Sequence, residues 1–188
     1  QWLTPDPVAK FWGPIWDKTN PMVICVPGRF PTAESVAQVA GSVPGAFPVT
    51  APLSIAESLR LNSIAFPDAT TLYTLAGFIQ AHGQTYHVRR AGDSALSDLR
   101  TGPVVLLGGL NNPWLMRLAS NYRFTYQRDP AQGAALIQDS QNPLQREWKV
   151  MLHNPYSTFE VDYGIISRVW DSTTERVVVV ASGIASYG

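Results

Sequence analysis

The sequence holds one cysteine, Cys25, among 188 residues. That excludes an intramolecular disulfide and a zinc site built from thiolates alone. Cys25 lies inside the apolar run Val23–Val26, the setting of a buried small hydrophobe more than of a nucleophile. Histidine is scarce too: His82, His87 and His153 are the only ones, without metal-ligand spacing. Charged residues make up 15% of the chain, and 14 basic residues balance 14 acidic ones. The balance disfavours nucleic-acid binding, which needs a concentrated basic surface. Lysine occurs only at Lys10, Lys18 and Lys149. Arginine suits planar anions, but genome composition gives the same bias. No run is long enough to span a membrane, and no signal peptide is visible. The chain starts with Gln1, as a processed or trimmed chain would, so missing targeting segments say little about compartment.

The signatures of common catalysts are missing as well. There is no Gly-x-x-x-x-Gly-Lys-Ser/Thr loop, no Gly-x-Gly-x-x-Gly, no His-Glu-x-x-His and no Gly-x-Ser-x-Gly. Neither a cofactor nor a metal is expected.

What is present is apolar content of 45%, enough for a core, in a length that suits one domain over residues 1–188. Its centre is the stretch 103–118. Val104–Leu107 is an apolar run without polar alternation, as in a strand covered on both faces. Gly108 and Gly109 allow backbone angles other residues resist and let a ligand approach the main chain. Asn112 is a good helix N-cap, and Pro113 then takes the first helical position. Leu115, Leu118 and Ala119 give that helix an apolar side. An ordinary capped helix and a ligand-contacting turn both fit this pattern.

Residues 1–18 read as an aromatic helical arm, with Val8, Phe11, Trp12, Ile15 and Trp16 at helical spacing and Gly13-Pro14 ending or kinking it. Pro21–Val26 is a strand running into the turn Pro27–Phe30, where Arg29 could reach over the sheet end. Residues 31–52 form a long loop rich in proline, glycine and small residues, a candidate lid. Leu53–Ile64 is a possible helix opened by Ser54 and Glu57. Asp68 caps the next helix, striped by Leu72, Leu75, Ala76 and Ile79 and closed by Gly83. Thr85–Arg90 is a strand on which His87 reads as partly buried. Asp93 or Ser94 caps a short helix through Leu99-Arg100. Tyr122–Arg128 alternates as a half-covered strand, with Tyr122, Phe124 and Tyr126 on one face. Strands and helices thus alternate, as in a layered α/β sheet. Ala134–Asp139 and Glu147–Leu152 are short strands. Asp162–Trp170 and Arg176–Ala181 make a hairpin around Asp171–Glu175, and the β-branched run Val177–Val180 belongs in the sheet centre.

The fold class expected is α/β: three layers, a mainly parallel central sheet flanked by helices, and an antiparallel β-hairpin near the C-terminus. If the strands before Pro27, Gly108 and Ser182 are parallel neighbours, their turns share one edge of the sheet and can form a crevice. The expected ligand contacts are Arg29, Gly108, Gly109, Asn111, Asn112, Trp114, Ser182 and Gly183, with Ser186 and Tyr187 nearby. That set has no base and no carboxylate pair, which favours binding over acid–base catalysis.

Two resemblances bear on function. Gly92-Asp93-Ser94 and Gly109-Leu110-Asn111-Asn112 resemble two blocks of the GDSL (SGNH) hydrolases, which implies a serine nucleophile at Ser94. The blocks lie too close together, and the family's Asp-x-x-His pair is absent: Val150 stands three residues before His153. A hydrolase using Ser94 or Ser182 is the alternative reading. Phe11–Trp16, Pro21–Val26, Ser97–Arg100, Gly102–Leu118, Arg146–Trp148 and Val177–Gly188 look like an uncharacterised bacterial α/β domain joined to winged-helix regulators through a membrane span. That resemblance implies an extracytoplasmic or periplasmic sensor in signal transduction and transcription regulation. It would take an unidentified small polar or anionic ligand, with no nucleic-acid contact and no membrane span in this chain. A homodimer, and a structural interaction module docking through Phe11–Trp16, remain further expectations.

Overall fold

The computed structural model describes residues 6–28, 64–152 and 160–185. Arg29, Ser186, Tyr187, the loop 31–52 and residues 53–63 of the possible second helix lie outside them. The helices are α1 (Pro7–Trp12), α2 (Phe66–Ala81), α3 (Leu96–Leu99) and α4 (Pro113–Leu118). The strands are β1 (Met22–Val26), β2 (Tyr86–Arg90), β3 (Val104–Leu107), β4 (Phe124–Asp129), β5 (Ala134–Asp139), β6 (Lys149–Met151), β7 (Gly164–Asp171) and β8 (Arg176–Gly183).

The main sheet has the order β2-β1-β3-β8-β7. The first four strands are parallel, and β7 returns antiparallel to β8 as the expected hairpin. β1 and β3 are apolar at every position because both faces of the sheet are covered, so every residue in them is buried. Side chains alternate between two cores. Met22, Ile24, Val26, Val105, Leu107 and Val179 pack with Ile15 and Ile79 on the α2 side. Val23, Cys25, Val104, Leu106, Val178 and Val180 pack with Leu99, Leu115 and Leu118 on the opposite side. Burying each such side chain contributes roughly 1.5–3 kcal/mol.

Tyr122–Arg128 keeps its predicted alternation but not its predicted neighbours. β4 leaves the main sheet and pairs antiparallel with β5, which pairs with β6. Tyr126, Ala135, Ile137 and Val150 from this second sheet close the core on the α3–α4 side, and Tyr122 and Phe124 pack against it. Half-covered alternation reports one buried face; it does not say which sheet supplies the cover.

Three local expectations are corrected. α2 is capped at Ala65, with Pro67 in its first turn and no side-chain cap, so Asp68 is a first-turn acid and not the N-cap. Neither Asp93 nor Ser94 caps α3: Ala91–Asp93 is a 3-10 turn, the cap position is Ala95, and Asp98 accepts a hydrogen bond from the Ala95 N–H at 2.8 Å. His87 is exposed, because β2 is an edge strand. Within the arm, α1 gives way at Gly13 to a 3-10 turn that buries Ile15. Trp12 and Trp16 stack together and pack on Phe78 of α2. No described helix is long and apolar enough to cross a membrane.

Candidate functional site

The strand order makes β1, β3 and β8 parallel neighbours, so their carboxyl ends lie side by side. The chain runs from β1 to β2 on one side and from β2 back to β3 on the other. The β1–β3 boundary is therefore the topological switch point, where open α/β sheets bind ligands. Pro27, Gly108–Asn112 and Gly183 meet at this rim.

Asn112 sits at its centre and is fully buried. Its Oδ1 accepts hydrogen bonds from the N–H groups of Trp114 at 3.0 Å and Leu115 at 3.1 Å, capping α4 as the sequence predicts. Its Nδ2 donates to the Leu107 carbonyl at 2.7 Å and the Cys25 carbonyl at 3.3 Å. The side chain thus bridges Leu107, the last residue of β3, and Cys25, the next to last of β1, and fills the gap between them. Both donors and both lone pairs are used. Cys25, just below, is a buried thiol that desolvation pushes up to about 12.

The glycines close the neighbouring gap. Gly108 adopts a positive φ of 93°. A Cβ on Gly109 would overlap the Gly183 carbonyl oxygen, so the β3 turn and the β8 end touch backbone to backbone. Trp114 is buried beneath α4, and its Nε1 donates to the Ser94 carbonyl at 3.1 Å. The Ser182 hydroxyl turns away from the rim to share a 2.8 Å hydrogen bond with Tyr126, tying β8 to the second sheet. Burial pushes the Tyr126 phenol up to about 12.

Asn111 faces outward. Its Oδ1 accepts from the Gly109 N–H at 2.9 Å, and its Nδ2 donates to Asp68 Oδ2 at 3.3 Å. Asp68 is the rim residue that sequence reasoning missed. As a first-turn acid it looks like helix capping; only the fold reveals that α2 begins beside the β3 turn. Burial raises its pKa, and the Asn111 hydrogen bond offsets part of that rise.

Among the described residues, neither serine of the hydrolase reading hydrogen-bonds a histidine or a carboxylate. Ser94 Oγ donates to the Arg90 carbonyl at 2.7 Å, on the Ala91–Asp93 turn. His82 is stacked on Trp16 at the far end of α2, and its Nδ1 meets the Phe78 carbonyl. Among the described residues no histidine hydrogen-bonds a serine, and no group of three or more His, Cys, Asp or Glu side chains could hold a metal. A search of protein-family models finds no match, and neither the curated proteins nor the solved structures include one.

Proposed function

We propose that this chain is a non-enzymatic sensing or interaction domain that takes a small polar ligand on the carboxyl rim of its main sheet. The observation that carries this reading is the Gly109–Asn111–Asp68 hydrogen-bonded chain at the switch point between β1 and β3. It gathers an amide, a carboxyl group and a glycine turn where this class of sheet binds ligands. Because Asn112 fills the gap below, the ligand would rest on the rim. Asp68 favours a ligand that donates hydrogen bonds over an anion, since a carboxylate repels negative charge. In keeping with the resemblance in the sequence, we propose the setting to be the extracytoplasmic part of a membrane-tethered bacterial regulator. The full gene product would then carry a hydrophobic span and a winged-helix domain.

The test is an amide-shift titration with a panel of free amino acids, neutral sugars and inorganic phosphate. Shifts centred on Gly108, Gly109 and Asn111 from a neutral or cationic compound, lost in Asn111→Ala, are the expected result. A panel that leaves these amides unmoved, or moves them with phosphate alone, overturns the assignment.

A further inference from the structure

At the edge of the main sheet, β7 has β8 as its one neighbour among the described strands. β7 pairs with β8 from Gly164↔Gly183 to Asp171↔Arg176, and just outside this ladder the Ile184 N–H donates to the Tyr163 carbonyl. Hydrogen-bonded pairs in an antiparallel ladder recur at every second residue. Ile165, Ser167 and Val169 therefore turn their amides toward β8, and Gly164, Ile166, Arg168 and Trp170 turn theirs outward. Among the described residues nothing pairs with those four outward backbone groups. The same four residues are exposed, Ile166 to 77% and Trp170 to 67%. The opposite edge is protected differently: β2 shows solvent His87, Arg89 and Arg90, and charge blunts an edge.

Two further features specify what would sit on β7. At its amino end, Phe124, Ile137, Trp148 and Tyr163 wall a cleft of about 230 Å³ that opens beside Gly164 and Ile165. Midway along it, the Arg168 guanidinium lies over the Phe11 ring, and its Nη1 donates to the carbonyls of Lys10 and Phe11. Among the described residues no carboxylate pairs with Arg168, and its Nε and Nη2 have no acceptor.

We propose that β7 is a docking edge for an extended segment of a partner protein, which adds to the sheet as a strand. The segment places an apolar side chain in the cleft opposite Ile165 and an acidic side chain opposite Arg168. These two positions are three residues apart and on opposite faces of a strand, so one short extended segment supplies both.

A second copy of this chain fits less well. In a two-fold antiparallel pairing of β7 with itself, outward-pointing residues meet only each other. Within the ladder, Arg168 would then face Gly164, Ile166, Trp170 or itself, none of them an acid. Taking each side chain at roughly 150–250 Å², the exposed parts of Ile166 and Trp170 on both copies amount to about 400–700 Å². A stable interface needs about 1,200 Å² or more.

The probe is a capped decapeptide of alternating threonine and valine that carries phenylalanine and glutamate three positions apart, made in both orders. Its twin has lysine for glutamate. Amide exchange is followed on the whole chain. The expected result is slowed exchange at Ile166, Arg168 and Trp170 with the glutamate peptide and no change at Ile165, Ser167 and Val169. The lysine twin should bind about five-fold more weakly, and Arg168→Glu should reverse the preference. Because Arg168 also holds the arm, the two-peptide comparison on the unaltered chain stands alone as a test. Equal affinity for the twins, or no protection by either peptide in either order, overturns the proposal. So does protection without peptide that rises with protein concentration alongside dimers in sedimentation, since that makes the occupant a second copy.

Discussion

Replacing Asn112 by alanine separates two jobs performed by one buried side chain. Loss of the α4 cap alone costs about 1 kcal/mol. The structure adds a second loss, because Nδ2 also satisfies the Leu107 and Cys25 carbonyls in a site closed to water. A buried acceptor left without a partner costs about 1–3 kcal/mol. The bond to Leu107, at 2.7 Å, is the stronger; the 3.3 Å bond to Cys25 counts for less. Asn112→Ala is therefore expected to lose about 3–4 kcal/mol, a large share of the 5–15 kcal/mol typical of a domain. Asn112→Ser keeps a cap acceptor but not the bridge, and should lose about 2–3 kcal/mol. Urea unfolding followed by tryptophan fluorescence reads both values from the midpoint, given an unchanged slope. If Asn112→Ala loses only about 1 kcal/mol and Asn112→Ser nothing, the strand-end carbonyls have found other partners and the bridging argument is refuted.

Three further outcomes follow from the same geometry. Gly109→Ala sets a Cβ against the Gly183 carbonyl and should cost about 3 kcal/mol or prevent folding, whereas Gly77→Ala, in open space on α2, should stabilise by about 0.5–1 kcal/mol; thermal unfolding compares them. Asp68 has a raised pKa when folded, so its stabilising contribution is complete below the ordinary carboxyl range and is lost as pH rises through the raised value; Asp68→Asn should flatten that decline, read from urea midpoints across mildly acid to neutral pH. Cys25 should resist thiol reagents at pH 8 in the folded protein and react at once in denaturant, and rapid labelling of the native chain would contradict its burial.

The central strands were legible because a strand buried on both faces leaves an uninterrupted apolar run, as in Met22–Val26 and Val104–Leu107. The α4 cap was legible because Asn-Pro at a helix start has a local cause. So was the shared edge at the carboxyl ends of β1, β3 and β8, since apolar runs before glycine turns imply central parallel strands. What escaped were the sheet membership of β4 and the side-chain contacts made with partners distant in the chain. Tyr122–Arg128 alternates equally well in either sheet. An acid near a helix start serves as cap or first-turn residue with the same local pattern, which misplaced Asp68. The second pair of bonds made by Asn112 requires Cys25, 87 positions away. The Asp68–Asn111 contact spans 43 positions and leaves no periodic trace.

The insertion of the second sheet between α4 and β7 also shapes how the molecule assembles. β3 and β8 lie side by side, Val104 against Val178, with that entire sheet threaded between them in the chain. Closing so long a loop is entropically slow, and contacts of this range lower folding rates. A nascent chain leaving the ribosome would hold β1, β2 and β3 with one flank of β3 bare until β8 emerged. That interval is when the half-made sheet is most open to aggregation and to capture by chaperones.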